Sequence, residues 1–277
     1  MSTDQAVPTV EDTNNYYEIA NQLVVELWDE NFHMGYWHSE EDDSSNRVAA
    51  DRMTDLVIER SGLGGGGRML DIGCGIGLPA FRAAAVTPAE IVGVSNNMAQ
   101  IDEAGRRSAE LGLADRVTFA YADALALPYA DDSFDVVWSF ETLPHLDRPA
   151  AYAEMLRVLR PGGRVVVTDH LLAAPLTGKH KEMVDRFTEE MQATPRLPLD
   201  EHRRLILDAG FELDELTDIS LHTGRTAVRV TEAVDRRFDE LVGRYGEGIA
   251  PMLEVFRAPV GVLPEMGYLI AVARKAA

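Results

Sequence analysis

Apolar residues follow two rhythms along this chain, and the change from one to the other marks its organisation. Between Tyr16 and Trp28, YYEIANQLVVELW sets apolar side chains at 16, 19, 20, 23, 24, 27 and 28, the i, i+3, i+4 spacing of a helix with one covered face. VAADRMTDLVIERSGL keeps that rhythm and predicts a second helix stopped by Gly62. After the flexible joint GGGG at 64–67 the texture changes to short apolar runs, RMLDIG, EIVGVS, RVTFAYAD, FDVVWSF and RVVVTDHL, alternating with helical segments near 78–85, 97–111 and 149–159. Strand and helix in alternation predict an α/β fold, Rossmann-like, with a mostly parallel sheet and helices on both faces. Beyond His170, helical stretches near 179–193 and 199–209 lead to a strand, FELDELTDIS. A further helical region near 226–257 precedes the last apolar strand, GYLIAVARK. These late helices interrupt the sheet order as insertions and are placed to roof a ligand site.

Candidate chemistry gathers at the strand ends. LDIGCGIGLP closes the first strand with Asp71 and sets Gly73, Gly75 and Gly77 at alternate positions before a helix, where glycine lets the backbone turn tightly and approach a ligand. A dinucleotide fingerprint wants G-x-G-x-x-G. Here the third glycine comes one position early and Leu78 stands in its place, which weakens a nicotinamide-dehydrogenase reading without removing it. Where that reading wants a ribose-binding acid at the end of the second strand, GVSNNMAQ offers Ser95, Asn96 and, one helical turn on, Gln100. Ser95 and Asn96 are suited either to ribose contact or to helix capping. Asp123 in YADA, at the third strand's end, is able to accept a bond from an adenine amine or to make an ordinary turn.

Taken in order, LDIGCGIG, GVSNNMAQ, RVTFAYADALALPYADDSFDVVWSFETLPHL and EMLRVLRPGGRVVVTD resemble the successive motifs of class I S-adenosylmethionine-dependent methyltransferases over about residues 68–172. The upstream LWDENFHMGYW resembles a subgroup acting on small molecules. That subgroup includes natural-product sugar O-methyltransferases of the rebeccamycin type, sterol-type C-methyltransferases and cyclopropane synthases. The resemblance implies a seven-stranded sheet with an antiparallel last strand. It also implies that Gly73, Gly75 and Gly77 face the methionine part of the cofactor, Ser95 and Gln100 the ribose region, and Asp123 with Ala124 the adenine; Asp71 and Asn96 beside them are further cofactor-binding candidates. S-adenosylhomocysteine would be the product, and no metal is required. The corresponding division is an N-terminal helical cap over 1–62, a cofactor-binding core over 63–172, and lid helices with the last two strands over 173–277.

A sulfonium carries positive charge, which aromatic faces such as Tyr16, Tyr17, Tyr36, Trp37 and Phe140 are suited to hold. NFHMGYW, with Phe32 and Tyr36 around His33 and Gly35, reads as a loop folding over a ligand. Transfer to a hydroxyl also needs a group to take the proton. Sugar O-methyltransferases of the subgroup carry HH after strand four and Asp after strand five, whereas this chain has Pro144 then His145, and Asp169 then His170. Proline cannot accept a proton. His145 and Asp169 are therefore the candidate catalytic residues, and Tyr17, Phe32, Pro144, His145, His170 and Phe187 the candidate substrate contacts. Loss of one histidine favours a carbon acceptor that needs no prior deprotonation, an electron-rich alkene of a prenyl or terpenoid side chain. O-methylation of a sugar or aromatic hydroxyl is the alternative.

Composition narrows the partners. A chain of 277 residues with 46% apolar content is able to bury a full core, and its formal net charge of −20 argues against nucleic acid or an anionic membrane. A small-molecule partner is expected. Cys74 is the single cysteine, which excludes an internal disulfide and a thiolate zinc cluster. The first fifteen residues lack the pattern of a signal peptide, and no run reaches about eighteen apolar residues, so a cytoplasmic protein is expected. The Tyr16–Trp28 face could dock on another subunit and make a homo-oligomer.

Overall fold

The computed structural model describes residues 7–9, 11–12, 16, 20–21, 23 and 26–277. Seven strands form one sheet: β1 (Arg68–Ile72), β2 (Glu90–Ser95), β3 (Val117–Tyr121), β4 (Phe134–Phe140), β5 (Leu159–Leu172), β6 (Phe211–Asp218) and β7 (Met266–Lys275). Their order is β3-β2-β1-β4-β5-β7-β6, with β7 antiparallel to both neighbours and the other pairings parallel. This is the expected α/β Rossmann-like sheet with its antiparallel last strand. Order reverses between β1 and β4, and an open parallel sheet leaves a crevice at the carboxyl ends of its strands there.

The period of two along each strand builds two cores. Leu70 and Ile72 of β1 join Val92, Val137, Tyr152 and Leu269 on one face, while Met69 joins Ile91, Val136, Trp138 and Ile270 on the other. Helices cover both faces: α1 (Asn46–Ser61), α2 (Leu78–Val86), α3 (Met98–Glu110), α4 (Arg148–Val158), α5 (Gly178–Glu190), α6 (Leu199–Asp208), α7 (Gly224–Tyr245) and α8 (Ala250–Arg257). Ser45 caps α1, whose Met53 and Val57 sit in the second core, and Gly62 ends it at φ 75°. The region near 226–257 is two helices because Gly246, at φ 90°, breaks it.

A third apolar cluster forms a roof. Leu23 and Leu27 of the N-terminal helical segment pack with Val230, Val234 and Leu241 of α7 and with Leu253 and Phe256 of α8. Tyr16, Ala20, Leu23 and Leu27 of that segment's apolar face are buried within the chain, and Trp28 is half-buried against Phe32 and Phe256. At Leu23 and Leu27 that face is covered by the chain's own roof. No helix among the described residues is long and apolar enough to cross a membrane.

Candidate active site

A cavity of about 580 Å³ runs beneath the roof, along the carboxyl ends of β1, β2, β3, β4 and β5. Its first half is the glycine loop. Gly73, Gly75 and Gly77 take φ 76°, 52° and 85°, conformations that L side chains rarely adopt. Their tasks differ. A Cβ on Gly77 would lie 2.6 Å from Phe119 Cζ and one on Gly73 would collide with Thr142, whereas one on Gly75 would meet nothing within 4 Å. Gly75 therefore opens the loop to a ligand, and Gly73 and Gly77 shape it. Gly77 stands outside the cavity lining.

Asp71 lies at the floor of this half, fully buried, and burial pushes its carboxyl up to about 7. Its Oδ2 has no hydrogen-bond partner among the described residues. A buried carboxylate in that state is stabilised by a cationic ligand. Ser95, Asn96 and Gln100 line the wall beside it. The cap of α3 is neither Ser95 nor Asn96. Asn97 accepts the Gln100 N–H at 3.0 Å, while Ser95 Oγ donates to Gln100 Oε1 at 2.9 Å and Gln100 Nε2 donates to Asn21 Oδ1 at 3.0 Å. Asp123 and Ala124 also line the cavity, and Asp123 Oδ1 accepts the Leu125 N–H at 2.8 Å.

In the other half Phe140, Pro144, His145, His170, Phe32 and Phe187 come together. His145 Nδ1 lies 2.8 Å from the Gln192 carbonyl, so that nitrogen carries the proton. Burial pushes the His145 ring towards its neutral form. Asp169 does not line the cavity. It is fully buried, 3.6 Å from Arg148 Nε, and its Oδ1 accepts the His170 N–H at 2.7 Å, so it fixes the exit of β5 instead of meeting a ligand. Tyr36 also misses the cavity, because its ring stacks on His222 at 4.3 Å. The same loop is pinned by Gly35 N–H and Trp37 Nε1–H, both donating to Thr226 Oγ1 at 2.9 Å, and its Asn31, Phe32, His33 and Met34 reach the ligand space. Tyr17 lies outside the described residues.

Glu141 is the site residue the sequence reading missed. It follows β4 at φ 50° and lines the cavity. Its Oε1 accepts from Met34 N–H at 2.6 Å and Tyr268 Oη–H at 2.7 Å, and its Oε2 lies 3.3 Å from His170 Nε2. Burial opposes its ionisation, but the His170 ring and these hydrogen bonds outweigh burial and hold the carboxyl below its usual value. An acid directly after an apolar strand run was the available signal. Its partners come from distant segments.

The family described as a methyltransferase domain matches residues 63–210. The chain belongs to that family. As a whole, this S-adenosylmethionine-dependent methyltransferase is similar to the methyltransferase GfsG of Streptomyces halstedii, with 36% identity covering 95% of this chain and 94% of that one. It is equally similar to the 27-O-demethylrifamycin SV methyltransferase of Amycolatopsis mediterranei, at 36% identity over 97% of this chain and 98% of the relative. Among solved structures, the crystal structure of the [4+2]-cyclase SpnF superposes with a TM-score of 0.84, 31% identity and 98% coverage of both chains.

Proposed function

We propose that this methyltransferase methylates a hydroxyl oxygen of an apolar natural product, with His170 taking the hydroxyl proton and Glu141 holding the His170 ring. The observation that carries this reading is the 3.3 Å approach of His170 Nε2 to Glu141 Oε2 in the cavity wall. Pro144 had favoured an alkene acceptor because it removes a base. The Glu141–His170 pair offers one from a different strand end. A carboxylate beside an imidazole fixes its tautomer and stabilises the imidazolium that forms when it accepts a proton. With Nε2 turned to Glu141, Nδ1 is the nitrogen left for substrate. The name of the 27-O-demethylrifamycin SV relative, which specifies an oxygen acceptor, supports the same choice.

The residues present fit S-adenosylmethionine. Asp71, with one carboxylate oxygen unpartnered, suits the cofactor's cationic amino-acid end, and Gly75 leaves room where a Cβ would intrude. Ser95, Asn96, Gln100 and Asp123 are the polar groups for its ribose and adenine. When bound, that cofactor supplies an electrophilic methyl on a sulfonium sulfur. The chain's own work is alignment and exclusion of water, for which Phe32, Phe187 and Phe256 provide apolar walls around the acceptor.

Alkene C-methylation is the second reading, favoured by the Phe32, Trp28 and Phe256 rings, packed 4.9 and 6.5 Å apart and suited to a carbocation. Isotope-labelled methyl transfer into a metabolite extract separates the two. The label is expected on oxygen, and a product labelled only on carbon would sink the hydroxyl reading. His170→Ala is expected to lower kcat by about 10² or more, within the 10²–10⁴ usual for a general base, with cofactor affinity kept. Retention of the full rate would remove His170 from the mechanism.

A further inference from the structure

Of the two arginines among the described residues that line the cavity, only Arg107 is matched by carboxylates. Arg107 lies 2.8 Å from Glu30 and 2.6 Å from Glu103, Arg148 faces Asp169 at 3.6 Å, and Glu141 takes His170. Arg196 also lines the cavity, yet no carboxylate of a described residue lies within ion-pair distance of it. Its Nη1 donates to Thr188 Oγ1 at 3.2 Å, its guanidinium carbon sits 5.2 Å from the centre of the Phe187 ring, and its buried Nε has no partner among the described residues. An arginine that served only the loop would bind carbonyls, as Arg148 does with Pro195 O. Arg196 instead keeps an edge of its donor fork unspent.

The fold brings Arg196 close to His170. A parallel bridge joins Leu171 to Leu197, which sets Arg196 beside His170, one residue earlier on each segment. Phe187 holds the guanidinium plane from one side and Thr188 fixes one nitrogen, so the fork is oriented before a ligand arrives. An unpaired cation in a buried wall is costly, and the cost is offset when an anion reaches it and makes charge-assisted bonds. Burial already pushes Arg196 down to about 10. The chain's net charge of −20 disfavours anions at long range, but salt screens that field within roughly 10 Å, while Arg196 acts at contact.

Resting on the reading of this cavity as the acceptor site, we propose that Arg196 is a specificity-determining residue that binds an oxyanion of the substrate, a carboxylate or an acidic enolic oxygen, next to the hydroxyl that is methylated. The acceptor would then be an apolar molecule with a planar oxyanion, held by Arg196 while its hydroxyl meets His170. Binding alone tests this, independently of methyl transfer.

The test is calorimetric titration of the S-adenosylhomocysteine-saturated enzyme with two matched pairs, dodecanoate against methyl dodecanoate and 4-hydroxycoumarin against coumarin. The first pair probes a carboxylate and the second an enolate. In at least one pair the anion is expected to bind about tenfold tighter than its neutral partner. Arg196→Met is expected to abolish that preference and Arg196→Lys to keep part of it, with melting temperature and S-adenosylhomocysteine affinity unchanged in both. Equal binding of anion and neutral partner in both pairs, no binding by any probe, or a preference that survives in Arg196→Met would each overturn the proposal. None of these outcomes bears on whether the enzyme methylates oxygen, which the labelling experiment decides.

Discussion

Asp71 is a residue whose cost without a ligand is measurable. Its carboxyl titrates at about 7 in the folded chain against an ordinary 3.8, so between those values the folded state holds a proton that the unfolded state has released. Stability in the absence of cofactor therefore falls as pH rises from about 4 to about 7. Asp71→Asn removes this fall, so its melting temperature relative to the unsubstituted enzyme is expected to be higher at pH 8 than at pH 5, while its affinity for S-adenosylmethionine drops about tenfold or more. A relative melting temperature that does not change with pH would contradict the assignment. His145 supplies a contrasting expectation. With Nδ1 committed to the Gln192 carbonyl, it holds the α4–α5 side of the cavity, and His145→Ala is expected to lower kcat by less than about a hundredfold, below the usual share of a general base. A larger fall with cofactor binding intact would return it to the role of base.

At the level of elements, the glycine loop between β1 and α2 separates folding from binding within five residues. Gly77→Ala places a methyl against Phe119 at φ 85°, and is expected to cost on the order of 1–3 kcal/mol in denaturant unfolding. Gly75→Ala faces open cavity at φ 52°, so it is expected to melt closer to the parent and to lose cofactor affinity more than stability. Equal effects of the two on calorimetric binding would show that the loop is not divided in this way. These elements were legible because Asp71 and the glycines are local in sequence. The α3 cap was only half legible: three adjacent polar residues, Ser95, Asn96 and Asn97, are all chemically able to cap, and Asn97 does so because its extended backbone points Oδ1 at Gln100 N–H.

For the whole molecule, the site lies where the two sheet cores meet the roof. Phe256 is buried there, with its ring 4.9 Å from Trp28. Phe256→Ala is expected to cost about 3–5 kcal/mol in urea unfolding. Hydrogen exchange should rise first in α7, α8 and the N-terminal helical segment, and last in β1 and β4. Uniform loss of protection would mean that roof and sheet unfold as one unit.

The sequence by itself determined the alternation of strand and helix, the glycine loop and the acid before it, because these depend on side-chain period and on backbone freedom over a few residues. Tertiary structure alone decided which polar groups share one cavity. Glu141 became a site residue through Met34 and Tyr268, separated from it by 107 and 127 positions. Asp169 lost its place to an ion pair with Arg148, and Arg196 was brought beside His170 by the Leu171–Leu197 bridge. Pairing of charges and exclusion of water depend on distances through space, which the spacing of residues along a chain does not encode.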